Sequence, residues 1–300
     1  YKRQGLYTQG AGSKAENITL ELAKYFDNDI DLYFAYNGND ATELSPLTSS
    51  RAASNTPNNV WTGNQFNYPV SKRSIYETEH KFVLSLIINR NHFANLNTSY
   101  GFTFTRKSGN PYSWTFDAGR SEPWDGYRNN SFGLEYDLNR RNSGLLYIPT
   151  ADDPNVCYGS CENPDDAFKA QFLDVIAALG LSDYAGSVVP AGTHTHNWVT
   201  TSTFQIRQEL PGLYEGHSGE IYFTMNNFLN FLNDEWGRVD YGMYNGIRPL
   251  VRFTTTDDLS KYIYTGFSSD SFDPDNPDGA WRTSGYQSVW RARIGFKYRF

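Results

Sequence analysis

The chain has 300 residues, a formal net charge of −7, 16% aromatic residues and a mean hydropathy of −0.61. It contains no apolar run near the roughly 18 residues that a membrane helix needs, which excludes a helical membrane protein. The 26 Lys and Arg residues are scattered along the chain, which argues against nucleic acid as a partner.

Nine segments of alternating apolar and polar residues predict strands, because successive side chains of a strand point to opposite faces. Short turns near 27–29, 89–92, 209–218 and 255–259 alternate with long loops near 39–77, 107–193, 227–246 and 269–287. This asymmetry is typical of an antiparallel transmembrane β-barrel, and the fold is predicted as all-β. In chain order, the apolar residues of the first eight strands are Ile18, Leu20, Leu22 and Phe26; Ile30, Leu32, Phe34 and Tyr36; Phe82, Leu84, Leu86 and Ile88; Leu96, Tyr100, Phe102 and Phe104; Trp198, Phe204 and Ile206; Ile221, Phe223 and Met225; Ile247, Val251 and Phe253; and Tyr262 and Tyr264.

The last strand has the clearest alternation. Its apolar residues from Trp290 onward share one face, and its Arg and Lys residues share the other. We interpret the apolar face as lipid-facing and the cationic face as lining a wet interior. The ending places Ile294, Phe296, Tyr298 and Phe300 at alternate positions, which resembles the β-signal that the outer-membrane assembly machinery recognises.

The number of strands predicts that the chain is part of a larger barrel. Bacterial single-chain barrels have even numbers of strands, so nine strands do not close a barrel by themselves. We therefore expect the C-terminal portion of a larger barrel, which begins inside an outer loop.

Four segments carry a resemblance to a known family. They read SPLTSSRAASN (45–55), SGNPYS (108–113), LLYIP followed by two Asp residues (145–153), and NNFLNFLNDEWG (226–237). In order and spacing, the chain from about residue 16 onward resembles the C-terminal half of TonB-dependent outer-membrane receptors of the Oar-like subgroup.

The resemblance implies a barrel of about 22 strands whose lumen holds an N-terminal plug. Such receptors bind a scarce or bulky substrate outside the cell and import it with energy relayed by the TonB complex through the plug. We identify no plug domain in these residues, so import is expected of the parent protein. The expected location is the bacterial outer membrane, and the expected partners are lipid, the remaining barrel, the plug and surface proteins.

Two other functions stay open. The barrel can act as a scaffold that anchors a surface assembly through its extracellular loops. A secreted all-β carbohydrate-active protein is the third interpretation, and it predicts solubility without detergent. No G-x-S-x-G, Walker or zincin motif occurs, and no enzymatic activity is expected.

The 107–193 connection contains a helical pattern. Pro164, Asp165 and Asp166 predict its start and Gly180 its end, while the apolar face is formed by Phe168, Phe172, Val175, Ile176 and Leu179. We interpret this helix either as an outer lid or docking surface, or as a structural cap of the barrel mouth that packs on loop aromatics.

Several aromatic residues are candidates for contact with substrate or lipid. The loop aromatics Trp61, Tyr112, Trp114 and Trp124 are candidate substrate-binding residues. Aromatics at strand ends are candidates for the interfacial girdles that flank the lipid-facing band, namely Tyr25, Trp198, Tyr222 and Tyr298.

Cys157 and Cys161 are the chain's two cysteines, and their position in one polar segment predicts a loop-closing disulfide, with a metal site as the weaker interpretation. No cofactor is expected, although two groups of residues resemble metal ligands. Asp273, Asp275 and Asp278 resemble the carboxylates of a Ca²⁺ loop, but no Glu follows at the expected distance, so a solvated acidic loop is the favoured interpretation. His194 and His196 can form half of a zinc or copper site, which would need further ligands.

Overall fold

Seven long strands form the main sheet of the computed structural model, which describes residues 12–48, 50, 60, 70–117, 144–242, 246–258, 260–268, 272–277 and 282–300. With strands numbered along the chain, they are β1 Lys14–Phe26, β2 Ile30–Glu43, β4 His80–Phe93, β5 Leu96–Lys107, β11 Val199–Pro211, β12 Ser218–Asn226 and β17 Arg291–Arg299. They pair antiparallel in the order β1-β2-β4-β5-β11-β12-β17, and the short β3 (Lys72–Arg73) pairs with β2. Strands of 9 to 14 residues are long for a globular sheet.

Three tight turns lie at one end of this sheet, which we call the turn end. Asp29 closes the first with a φ of 58°, and Ala94 and Asn95 form the second with φ values of 50° and 57°. Two positive φ values in a two-residue loop match a type I′ hairpin, so β4 runs past the turn predicted at 89–92. The third turn spans 212–217. The long connections, 44–79, 108–198 and 227–290, leave from the opposite end, the loop end.

The register divides the main sheet into two different faces, because directly opposite residues in an antiparallel pair share a face. One row of partners runs Leu22, Phe34, Leu84 and Phe104, and another runs Phe102, Phe204, Met225 and Ala292. On the opposite face, Ser85, Thr103, Thr203, Asn226 and Arg291 form one such row. We call these the apolar face and the polar face.

The count of nine barrel strands was wrong. β14 (Ile247–Thr255) and β15 (Tyr262–Phe267) belong to a second sheet, where β14 lies parallel to β6 (Pro111–Asp117) and β15 parallel to β8 (Val156–Tyr158). The predicted loops 227–246 and 269–287 are therefore parts of the single 227–290 connection. The error has a physical cause: alternation marks any strand, and β14 is buried on both faces from Ile247 to Val251, as parallel sheet strands are.

The second sheet and its helix form a unit that we call the loop body, built jointly by the 108–198 and 227–290 connections. Its strand order is β10-β6-β14-β15-β8, with β10 at His194–Thr195, and a two-stranded pair joins β7 (Tyr147–Ile148) to β9 (Ser187–Val188). Its core contains the fully buried side chains Trp114, Phe116, Leu146, Ile148, Phe172, Ile176, Leu181, Val189, Leu250 and Tyr264. Burial of Tyr264 holds its phenol pKa well above the usual value, and its hydroxyl donates a hydrogen bond to the Tyr147 carbonyl oxygen at 2.8 Å.

The predicted helix is confirmed as α1 (Asp166–Ala178). The Asp165 carboxylate accepts the Phe168 backbone N–H at 2.9 Å as an N-cap, and Gly180 ends the helix with a φ of 67°. Phe172 lies between the rings of Tyr158, Tyr264 and Phe267, with centroids 5.5 to 6.3 Å away. These contacts show that the helix packs on loop aromatics, whereas its role as a cap of the barrel mouth, a lid or a docking surface stays a prediction.

Replacing Phe172 with Ala should loosen the loop body. The ring is fully buried, and removing such a ring costs about 3–5 kcal/mol through lost burial and the cavity that remains. Hydrogen exchange in the full-length protein should show the amides of α1 and β15 opening more readily. Gln171→Ala, at an exposed position of the same helix, should change their opening free energy by less than about 0.5 kcal/mol. Equal exchange in both variants would contradict a core role for Phe172.

Candidate functional site

Large hydrophobic side chains on the apolar face of the main sheet are exposed at the surface. Ile18, Leu22, Ile294 and Phe296 are 68%, 63%, 73% and 64% exposed, and Phe34 in the second strand is 37% exposed. Water-soluble monomers rarely carry a continuous apolar surface across several strands. The predicted assembly-signal residues Ile294, Phe296 and Tyr298 alternate on this face, and Phe300 follows β17. Their role as an assembly signal stays a prediction.

Aromatic residues cluster at both ends of the apolar face. At the loop end, Trp198 stacks on His80 with a centroid distance of 6.0 Å, and the Arg106 guanidinium lies 5.3 Å from the Trp198 ring centroid. At the turn end, the Tyr298 hydroxyl hydrogen-bonds His217 at 2.9 Å. This placement of Trp198 and Tyr298 matches the predicted girdles.

Two of the predicted girdle residues lie on the other face. Tyr222 is the register partner of Arg207 and Gly295, and Tyr25 is the partner of Asp31, all on the polar face. The Tyr222 ring occupies the space beside Gly295, where a Cβ would overlap it. The alternation of the sequence agrees with this placement, since Tyr25 is out of phase with Leu22 and Tyr222 lies next to Ile221 and Phe223.

The polar face carries hydroxyl, amide and charged side chains across its width. The Gln205 amide donates a hydrogen bond to the Thr224 hydroxyl at 3.2 Å, and Arg207 lies 3.3 Å from the Glu220 carboxylate. At the β17 edge, cations predominate, namely Arg291, Arg293, Lys297 and Arg299. Such a face is suited to water and to a polar partner.

Tyr112 and Trp114, the predicted substrate-binding aromatics, are buried in the structure, and their role in binding stays a prediction. They are 5% and 0% exposed, because β6 lies inside the second sheet with its residues from Pro111 to Phe116 buried. A continuous run of apolar and small residues in β6 is the sequence signal that points to a buried strand. Trp61 and Trp124 lie outside the described residues.

Arg248 in β14 is a buried cation. It is 6% exposed, and its guanidinium carbon lies 4.9, 5.7 and 5.9 Å from the ring centroids of Trp114, Tyr112 and Phe272. Stacking on several aromatic faces stabilises a guanidinium that has left bulk water. Tyr112 and Trp114 therefore form an internal aromatic cage around this cation.

The two histidines next to this cage are part of the loop body's hydrogen-bond structure. His194 Nδ1 accepts the Trp114 indole N–H at 3.2 Å, and its Nε2 lies 3.0 Å from the Leu179 carbonyl oxygen. This geometry uses both ring nitrogens, so His194 has none left for a metal ion. His196 packs on the Tyr112 ring at a centroid distance of 4.7 Å. Burial, with a further contribution from the Arg248 charge, lowers the pKa of His196 to about 4, against an opposing effect of Asp240.

The Asp273 carboxylate forms a hydrogen bond within its own loop, where it accepts the Asp275 backbone N–H at 3.0 Å. Asp278 lies outside the described residues. In the part of the chain that the structure describes, no three His, Cys, Asp or Glu side chains come together as metal ligands.

The predicted disulfide joins Cys157 in β8 to Cys161, with Cα atoms 5.0 Å apart. Gly159 lies inside this small ring with a φ of 70°, and the Asp165 backbone N–H donates to the Tyr158 carbonyl oxygen at 2.9 Å. The disulfide therefore fixes the turn that leads from β8 into α1.

The loop end of β2 is held by buried acidic groups that the sequence did not reveal. The Glu43 carboxylate, 6% exposed, accepts the Ser74 hydroxyl at 2.7 Å, and the Glu77 carboxylate accepts the Ala41 backbone N–H at 2.8 Å. Arg73 donates to Glu77 at 2.6 Å. Burial lowers the pKa of the neighbouring Lys72 to about 8, although the Glu43 charge opposes the shift.

Comparison of the chain with protein family models, characterised proteins and solved structures found no match. Among the described residues, no helix has the length and apolar character needed to cross a membrane.

The His196 environment predicts an acid-sensitive loop body. Its pKa is about 4 when folded and about 6.5 when unfolded, so the unfolded state binds more protons between these values. The stabilisation is complete above about pH 6.5 and is lost as the pH falls towards 4, by roughly 1 to 3 kcal/mol. Hydrogen exchange of β6 and β10 measured across this range should show the loss. His196→Gln should flatten the profile, whereas His217→Gln, at the turn end, should leave it unchanged.

Proposed function

We propose that the chain forms the C-terminal part of a bacterial outer-membrane β-barrel whose parent protein is a receptor-transporter of the TonB-dependent type. The observation that carries the proposal is the exposed apolar face shared by seven strands, opposite a polar face. Lipid acyl chains would cover the first face, and a wet lumen would lie against the second.

The dimensions and ends of the sheet support this assignment. A transmembrane strand needs about 9–11 residues, and these strands have 9 to 14. Short turns at one end and long connections at the other match the periplasmic and outer sides of such barrels. The aromatic clusters around Trp198 and Tyr298 lie where interfacial girdles are expected.

The edges of the sheet imply further strands. Among the described residues, β1 pairs with β2 alone and β17 with β12 alone. Unpaired backbone groups in hydrocarbon cost several kcal/mol each, so a membrane-spanning sheet must close. The proposal therefore includes strands from the remainder of the barrel on both edges, with a total of about 22 by resemblance to the receptor family.

In this arrangement, the parent protein imports its substrate and the loop body stands on the outer side of the barrel. The polar face would contact a plug and the passing ligand, and the TonB complex would act through that plug. Because the core of the loop body is packed and closed by a disulfide, it would move as a unit or present a fixed receptor surface.

The membrane assignment can be tested with adjacent residues on opposite faces of a central strand. Leu86→Cys on the apolar face of β4 and Ser85→Cys on its polar face place a fluorophore at the same depth. In liposomes that contain the full-length protein and nitroxide-labelled lipids, the fluorophore at position 86 should be quenched about twofold more strongly, because side chains alternate between lipid and lumen. Equal or absent quenching at both positions would contradict a transmembrane sheet.

The transport role needs a separate test. A strain that lacks the whole gene should lose uptake of at least one labelled siderophore, peptide or glycan, and the intact gene should restore it. The control is the same strain complemented with Gln171→Ala, which changes an exposed position of the loop body. Normal uptake of every candidate substrate by the deletion strain would remove the transport claim.

A surface scaffold is the second candidate, and the folded loop body favours it. A packed outer unit with an exposed helix face suits stable protein contacts as well as ligand entry. Copurification of stoichiometric surface proteins with a permanently plugged lumen would support this role. Tyr112 and Trp114 are buried, so they do not support the carbohydrate-active interpretation as exposed aromatic residues.

A further inference from the structure

We infer that the short helix α2 (Phe228–Leu232), with Trp290 beside it, is a membrane-contact element that lies in the acyl-chain and headgroup boundary of the outer leaflet. This inference rests on the proposed function, because it needs the apolar face to contact lipid. It assigns a role to the NNFLNFLNDEWG segment, most of which lies outside both the main sheet and the hydrophobic core of the loop body.

The helix lies over the apolar face. The Phe228 ring contacts Phe102 and Phe204, with centroid distances of 6.3 and 5.4 Å, and both partners belong to the apolar face. The Leu229 backbone N–H donates a hydrogen bond to the Ser202 hydroxyl at 2.8 Å. Since Ser202 and Phe204 lie within β11, the helix overlies the strands instead of extending beyond their ends.

Two buried amide side chains hold the segment in this position. Asn227, in the left-handed conformation with a φ of 53°, donates to the Gly237 carbonyl oxygen at 2.9 Å. Asn230 donates to the Trp236 carbonyl oxygen at 2.8 Å and accepts the Trp290 backbone N–H at 3.2 Å. A Cβ at Gly237 would overlap the Asn227 amide. These bonds satisfy backbone groups internally, which a chain at a water-poor boundary requires.

The outer side of the segment is apolar. Phe231, Leu232, Trp236 and Trp290 are 52%, 57%, 51% and 45% exposed, and the Phe231 and Trp290 rings meet at a centroid distance of 5.4 Å. A short helix that buries Phe228 against the sheet while it exposes Phe231 and Leu232 has an apolar surface on two sides. In water, this exposure of apolar area would be unfavourable.

Lipid is the occupant that the geometry favours. The exposed residues of α2 are continuous with the apolar face through Phe228, so a cover for one surface reaches the other. Trp side chains prefer the boundary between acyl chains and headgroups, and this segment exposes two of them. The polar residues Asn233, Asp234 and Glu235 follow the helix directly and would face the headgroups and water.

Depth-dependent quenching tests the inference. Leu232→Cys carries the fluorophore on α2, Asp234→Cys is the exposed polar control two residues away, and Leu86→Cys reports on the main sheet. The full-length protein is placed in liposomes with nitroxides near the headgroup or deep in the acyl chains. Position 232 should be quenched about twofold more strongly than position 234, and more by shallow than by deep nitroxides, since interfacial apolar faces lie roughly 5–10 Å into the boundary.

The outcomes separate the inference from the proposed function. Quenching at position 86 without quenching at position 232 would overturn the role of α2 and leave the barrel standing. No quenching at either position would overturn both. Equal quenching at 232 and 234 would also overturn the inference, because the segment would have no lipid-facing side. Adding Phe228→Ala should reduce quenching at 232 and leave quenching at 86 unchanged, which also reports that the sheet is intact.

Discussion

The structure depends on the register of one antiparallel sheet. Because opposite residues share a face, seven strands in register collect apolar side chains on one surface, and any slip by one residue would scatter them. A surface of this extent must be covered, and the described chain covers it only locally, where Phe228 packs on Phe102 and Phe204. The loop body does not serve as the cover, since its side chains are buried in a core of their own. The exposed apolar side chains of the sheet are therefore the feature that bears most directly on function.

The loop body is built by pairing strands from two different connections. The two connections supply β6 and β14, which lie more than a hundred residues apart in the sequence and pair in parallel. β8 and β15 pair in the same way. Each pairing brings distant segments together, so neither connection can bury its apolar residues alone. The caged Arg248 and the His194 hydrogen bonds lie where β6, β10 and β14 meet. The Arg248 guanidinium stacks on aromatic rings and the His194 ring is hydrogen-bonded inside the unit, so residues of both connections contribute to one folded body.

Local signals in the sequence were sufficient for part of this architecture. The N-cap at Asp165, the stop at Gly180, the Cys157–Cys161 bridge and the seven main strands all depend on residues close together in the chain. The assignment of β14 and β15 could not be made in this way, because period two marks a strand without naming its partner. The same limit applies to Tyr112 and Trp114. An aromatic residue in a long connection looks available for substrate until the strand that covers it, more than a hundred residues later, is known.

At the loop end, side chains bond to the backbone where the chain leaves the main sheet. A strand that ends there exposes backbone groups, and each must find a partner nearby. At β2 the partners are carboxylates, with Glu77 accepting the Ala41 N–H and Glu43 accepting the Ile75 N–H. At β12 they are amides, with Asn227 and Asn230 bonding to the carbonyl oxygens of Gly237 and Trp236. The carboxylates lie beside the polar loop segment 72–79, and the amides lie where the chain turns back over the apolar face. Amides carry no charge to desolvate, so their use at β12 agrees with the lipid contact proposed for that site.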